Sequence, residues 1–370
     1  MRLGIITMHR VLNCGSALQA YALQKVLDNN GFKNEIIDYE FPPKSPLIER
    51  IVKKLRFWIY KLRSKTLFKK YKIWYFNKFF NEFVHLSEKR YNKNNIVLTN
   101  NIYDIFLTGS DQVWNPNWTK DDTSFLLSFT DDNKLICSYA SSFTIDSIPD
   151  NFKHIYQKYL SRYKFILVRE SSGVNIVKEL TGKQAELVLD PTLLLSKSEY
   201  HKLSIKSKIN IQEPYILVYI LTYMFNPFPY VNNIVEKIHN KIGGKVVYIE
   251  SGKHFTYQKN CICIDNIGPC EFVSLFENAS FIITSSFHGT AFASIFNKPL
   301  ISIVKSFNDI DGRIPTLLKL INGENSIVEY NSENINLSDI NLYKSSPSLL
   351  EIQKRRSIDI LINKMNSLKQ

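Results

Sequence analysis

The 370-residue sequence is poor in cysteine, and what it has is scattered. Cys14, Cys137, Cys261, Cys263 and Cys270 are odd in number and irregular in spacing, so no disulfide framework is expected and the thiols read as reduced. Cys261-Ile262-Cys263 with Cys270 lacks the Cys–His pair or second CxxC that a zinc site needs, and no metal is expected. There is no GxxxxGK[ST] loop, which speaks against an ATP-driven mechanism. The longest apolar run is Tyr215 to Met224, well short of the roughly 20 residues that cross a bilayer. The opening Met1-Arg2-Leu3-Gly4-Ile5-Ile6-Thr7 reads as a buried strand and not as a targeting segment, so a cytoplasmic protein is expected. Internal repeats and low-complexity tracts are lacking as well.

What is present is a regular alternation of strand-like and helical patterns. Near-continuous apolar strands read at Leu3–Thr7, Glu35–Tyr39, Ile102–Leu107, Leu135–Tyr139, Phe165–Val168 and Glu186–Leu189. After Asp190-Pro191-Thr192 the series restarts at Tyr215–Leu221, Lys245–Ile249, Phe281–Thr284 and Leu300–Val304. Continuous apolar strands separated by helices predict an α/β fold with parallel sheets covered on both faces. With 44% hydrophobic residues, the chain has enough for two such domains. The expected division is one parallel-sheet domain over 1–195, a second over 196–345 and an amphipathic C-terminal helix over 346–370.

The net charge of +13 is concentrated. Between Lys44 and Lys93, fifteen basic residues face only Glu49, Glu82 and Glu88, a surplus of +12. This points to a local anionic partner and not to diffuse affinity for nucleic acid. The stretch 46–91 reads as a basic helical insertion rich in aromatics. Two readings fit it: a core-packed hairpin with a solvated basic face, or an element that touches an anionic membrane surface.

In open parallel sheets, ligands bind beyond the carboxyl ends of the strands. Four strand-end loops carry chemistry there. Asn13-Cys14-Gly15-Ser16 offers close backbone approach and helix N–H donors, or simply a tight turn with a Ser cap. Gly109-Ser110-Asp111-Gln112-Val113-Trp114-Asn115 joins an acid, an amide and an aromatic, groups suited to sugar hydroxyls and ring faces; an Asx or Ser turn with a buried Trp is the other reading. Arg169-Glu170 follows a buried strand, and Arg recognises phosphate or carboxylate; a local ion pair between the two is the other reading. Ser286-Phe287-His288-Gly289-Thr290 puts a histidine at a helix N-terminus, where a proton donor can meet an anion, although the dipole favours neutral imidazole; a satisfied surface or cap histidine is the other reading. The candidate binding groups of the first two loops are Asn13, Gly15, Ser16, Asp111, Gln112 and Trp114. Those of the other two are Arg169, Ser286, His288, Gly289 and Thr290, with Arg313 in a loop after the Leu300–Val304 strand.

Taken in order, these stretches resemble the polysaccharide pyruvyl transferase family. The resemblance also rests on Ser138-Tyr139-Ala140-Ser141-Ser142-Phe143, Leu189-Asp190-Pro191-Thr192 and Gly268-Pro269-Cys270-Glu271-Phe272, with Cys14 standing where the family often has Tyr. It implies two Rossmann-like domains arranged as in the GT-B glycosyltransferases. It also implies phosphoenolpyruvate as donor, a glycan or lipid-linked oligosaccharide as acceptor, and no cofactor. On that basis His288 is expected as acid or phosphate partner, Arg169 as anion clamp and Asp111 as acceptor base. The domain over 1–195, with the groups of the first two loops, is then the acceptor side; the domain over 196–345, with Arg169 and the groups around His288 and Arg313, is the donor side. A nucleotide-sugar glycosyltransferase on the same scaffold is the alternative, and a non-catalytic glycan-binding or lipid-binding protein a third.

Overall fold

A computed structural model describes residues 1–43, 65–223, 225–249, 255–306, 312–332 and 344–369. The first sheet is parallel throughout, in the order β3-β2-β1-β4-β5. Its strands are β1 (Leu3–Ile6), β2 (Asn34–Tyr39), β3 (Leu86–Tyr91), β4 (Ile105–Thr108) and β5 (Leu135–Ser138). A short parallel pair, β6 (Leu167–Val168) and β7 (Glu186–Leu187), continues it through single bridges from Cys137 to Phe165 and from Ser141 to Val168. The central strands are buried at every position, as their apolar sequences require.

The second sheet is again all parallel, in the order β10-β9-β8-β11-β12-β13. It comprises β8 (Tyr215–Tyr219), β9 (Lys245–Ile249), β10 (Cys261–Ile264), β11 (Phe281–Thr284), β12 (Leu300–Val304) and β13 (Ile327–Glu329). Each sheet starts at its centre, winds outward and then reverses. This leaves a topological switch point between β1 and β4 and another between β8 and β11. Loops from all four of these strand ends meet at one cleft.

The basic segment departs in part from the helical insertion expected over 46–91. Residues 44–64 lie outside the described residues, and with them the expected helical pattern of Leu55, Trp58, Ile59 and Leu62. A helix runs over Lys65–Phe83, and Leu86–Tyr91 is not helical but the edge strand β3, pairing Asp38 with Arg90 and Tyr39 with Tyr91. An edge strand faces solvent, so it lacks the apolar run that marks an inner strand; here only Ser87 and Tyr91 are buried. The helix buries Phe76, Phe79 and Phe80 and leaves Tyr71, Ile73 and Trp74 exposed.

The C-terminal helix, Pro347–Ser367, crosses back onto the first sheet. Its Ser357 Oγ accepts from the Leu189 amide at 3.0 Å, and Lys364 pairs with Glu186 at 2.8 Å. Leu350, Leu361 and Met365 are buried, with Ile358 and Ile360 packed beside them. Among the described residues, no helix is long and apolar enough to cross a membrane.

Candidate active site

The cleft between the two sheets has a volume of about 210 Å³. Its polar wall begins with His288, on the first turn of the Phe287–Ile295 helix that follows β11. The imidazole rests on Gly15, at the start of the Cys14–Asn29 helix after β1. A Cβ built on Gly15 would lie 2.1 Å from His288 Nδ1. What approaches the Gly15 backbone closely is therefore the imidazole of the other domain. Burial pushes the His288 pKa below its usual 6.5; Asp190 and Asp111 oppose this, and Arg169 and Arg313 reinforce it. The ring is thus neutral near pH 7. Its Nε2 is buried without a hydrogen-bond partner, 3.9 Å from Asp190 Oδ2.

Asp190 is the hub that sequence reasoning missed. It sits in Asp190-Pro191-Thr192, where an Asp reads as a turn cap, and it does cap: Oδ1 accepts from the Thr192 amide at 3.0 Å and from Thr192 Oγ1 at 2.7 Å. Its other oxygen accepts from Ser110 Oγ at 2.8 Å and from Arg169 Nη1 at 2.8 Å. Burial alone would raise the carboxyl, but Arg169, His288 and the Thr192 hydrogen bonds outweigh it and hold the pKa at about 2. The signal available in sequence was an acid ending a buried strand, the same signal that singled out Asp111.

Arg169 and His288 do converge, though 119 positions apart, because both face Asp190. Arg169 lies behind the cleft wall and not on its surface. Its side chain is 1% exposed, and its guanidinium carbon stands 4.6 Å from the Phe287 ring centroid. The alternative reading, an ion pair with Glu170, is not found. Glu170 instead accepts from the amides of Phe143 at 2.7 Å and Thr144 at 3.2 Å. Among the described residues, the cation that lines the cleft is Arg313, at the start of the Arg313–Leu320 helix.

Asp111 lines the opposite wall in a left-handed conformation, φ 80°. One carboxylate oxygen accepts from Ser16 Oγ and the other from the Gln112 amide at 2.9 Å. The cap of the Cys14–Asn29 helix is Asn13, whose Oδ1 accepts from the Ser16 amide at 3.2 Å. Asn13, Ser16 and Gln112 all reach the cleft.

Three expected ligand groups stand elsewhere. Trp114 is fully buried; its indole N–H donates to the Phe125 carbonyl at 3.0 Å and its ring packs on Phe143, so it cannot stack on a sugar in the cleft. Gly289 and Thr290 do not offer free amides. The Gly289 N–H donates to Ser286 Oγ at 3.3 Å, the Thr290 N–H to the Ser286 carbonyl at 2.9 Å, and Thr290 Oγ1 meets Ser302 Oγ at 2.7 Å. Helix geometry leaves the amides of Phe287 and His288, which precede these, as the free donors of that first turn. Among the described residues, no three His, Cys, Asp or Glu side chains converge at metal-ligand spacing.

The polysaccharide pyruvyl transferase family model matches residues 13–305. A search of curated protein sequences finds no significant match. Among similar solved structures, S. aureus MnaA with UDP is 12% identical with a TM-score of 0.58, covering 100% of this chain and 98% of that one. UDP-GlcNAc 2-epimerase from Neisseria meningitidis bound to UDP-GlcNAc is 10% identical with a TM-score of 0.56, over the whole of both chains. Anabaena Alr3699/HepE in complex with UDP and glucose is 7% identical with a TM-score of 0.55, covering 100% and 99%. At such identities the common property is the fold, a GT-B-type pair of parallel-sheet domains.

Proposed function

Because the chain belongs to the polysaccharide pyruvyl transferase family and is thereby an enzyme of polysaccharide biosynthesis, we propose that it moves pyruvate from phosphoenolpyruvate onto one sugar of a polysaccharide or its lipid-linked precursor, as a ketal. The observation that carries this reading is His288 Nε2, buried and without a partner on a wall shared with Arg313 and opposite Asp111. An incoming dianion raises the pKa of that imidazole, so it binds together with a proton.

The steps then balance. His288 gives its proton to C3 of the enol, and C2 becomes electrophilic. One sugar hydroxyl adds to C2 while Asp111 takes its proton. The C2–O bond to phosphate breaks with its electron pair on phosphate. The second hydroxyl adds, and its proton passes to the departing phosphate. Arg313 and the first-turn amides hold the anion. The clamp expected at Arg169 falls in this reading to Arg313, and Arg169 acts as a positioning residue that fixes Asp190 against His288. No metal is required, since cationic side chains stabilise a phosphate that is already the leaving group.

Acceptor-dependent release of phosphate from phosphoenolpyruvate tests the reading, in the presence of a chelator throughout. His288→Ala is expected to lower turnover about 100- to 1,000-fold, the usual cost of one lost charge-stabilising group. Near-normal turnover in that variant would remove His288 from the chemistry. Release of nucleotide from a UDP-sugar instead would favour glycosyl transfer, a reading to which the UDP-bound relatives of this fold lend support. The basic segment would hold the enzyme at the cytoplasmic face of an anionic membrane, where lipid-linked acceptors reside.

A further inference from the structure

The cleft has two unlike ends. Its floor, the buried part of the lining, carries the polar groups Asp111, His288, Ser286 and Arg313. Its mouth, the more exposed part of the lining, is aromatic and apolar, with Trp118, Leu221, Tyr223 and Phe225. Phosphoenolpyruvate has no apolar face to match that mouth.

Trp118 and Tyr223 stand out there. They come from different domains, and their ring centroids are 5.9 Å apart at 81°. Each keeps about half of its surface in solvent, 47% for Trp118 and 51% for Tyr223. Leaving two large rings half-exposed forgoes the burial that such side chains usually gain. Nor are these loose loops. Trp118 lies in the short helical turn Pro116–Thr119, capped by Asn115, whose Oδ1 accepts from the Asn117 amide at 3.0 Å. Asn115 in turn donates to Gln112 Oε1 at 3.2 Å, and the neighbouring Trp114 roots the loop in the core. The same loop carries Asp111, so the indole and the expected base are held as one unit. Across the cleft, the chain leading to Tyr223 is pinned at Leu221, whose amide donates to Ser285 Oγ at 2.9 Å.

We propose that Trp118 and Tyr223 form a saccharide subsite that grips the ring next to the one being modified, making the acceptor at least a disaccharide unit. The proposal rests on the transferase reading above for what the floor does, but the subsite itself requires only glycan binding. Pyranose faces present C–H groups that pack on aromatic rings, while the polar floor takes the hydroxyls of the neighbouring unit. The pair is specificity-determining, since neither ring touches the reacting atoms.

The test is an array of di- to tetrasaccharides of glucose, galactose, mannose and their N-acetylated forms, probed with labelled wild-type protein, Trp118→Ala, Trp118→Phe and Tyr223→Ala. Phosphoenolpyruvate affinity is measured in parallel by calorimetry. Wild-type protein is expected to bind a subset of these glycans and their monosaccharides at least ten-fold more weakly. Both Ala variants should lose at least ten-fold on the same glycans, and Trp118→Phe should stay within about three-fold, with thermal midpoints and phosphoenolpyruvate affinity unchanged. Absence of glycan binding by the wild type, equal binding of monosaccharides, or Ala variants that bind as the wild type does would each overturn the subsite. Failure of phosphoenolpyruvate to bind the wild type would instead sink the donor reading and leave the glycan result to stand by itself.

Discussion

The contact between His288 and Gly15 joins the proposed chemistry to the packing of the two domains. His288 belongs to the second domain and Gly15 to the first, and the imidazole occupies the space a side chain would need. Gly15→Ala is therefore expected to displace the ring and lower turnover nearly as far as His288→Ala does. The double variant should be no worse than His288→Ala alone, because both changes remove one interaction. Steady-state kinetics on the three variants decides this; additive losses would show that Gly15 serves some other purpose. At this scale the sequence was a partial guide. The placement of Asp111, Ser16, Arg313 and His288 at the cleft was legible because each ends a strand or opens a helix of the right kind. Trp114 and Trp118 were not separable, since a loop has no period to tell an inward ring from an outward one. Asp190 was hidden by its capping role, which any Asp before Pro-Thr performs equally well.

Elements were read best where they are most buried. β9, β11 and β12 lie where their apolar runs placed them. The three strands that no apolar run announced, β3, β10 and β13, are all edges with half-exposed, polar or short sequences. The aromatic run from Trp74 to Phe83 divides along the helix. Phe76, Phe79 and Phe80 join the core as a packed helix requires, while Tyr71, Ile73 and Trp74 face outward with Lys78 over the Trp74 ring. If the outer face and its basic flank meet a bilayer, the protein should sediment with anionic vesicles at low salt and not with neutral ones. Replacing Lys53, Lys54, Arg56, Lys61 and Arg63 with Gln should abolish that binding, each charge contributing about 1 kcal/mol near an anionic surface. Activity on a short water-soluble acceptor should persist. Equal sedimentation with both vesicle types, or with neither, would leave the segment a structural element only.

Two parallel-sheet domains around a ligand cleft suggest a molecule free to come apart at its middle, yet the packing argues otherwise. One core cluster runs through both, from Leu3 and Leu107 in the first sheet to Leu217 and Ile282 in the second. The helix Lys65–Phe83 contributes Phe79 and Phe80 to it from the first domain while Tyr75 sits against Gly268 of the second. The helix Pro347–Ser367 closes the other side, touching both the Pro191–Leu194 turn and the Arg313–Leu320 helix. Each domain has a second cluster of its own on the far face of its sheet. A shared core predicts cooperative loss: calorimetry should show one unfolding transition and not two. Leu361 lies at the junction with no exposed surface. Leu361→Ala is expected to cost about 2–5 kcal/mol, the range for emptying a buried leucine site, and to move the single transition to lower temperature without splitting it. Two resolved transitions in the wild type, or a Leu361→Ala variant in which only one half melts early, would mean that the domains fold and move independently. The cleft would then have to be assembled by the substrates, whereas a welded pair keeps His288 on Gly15, and Trp118 against Tyr223, before either substrate arrives.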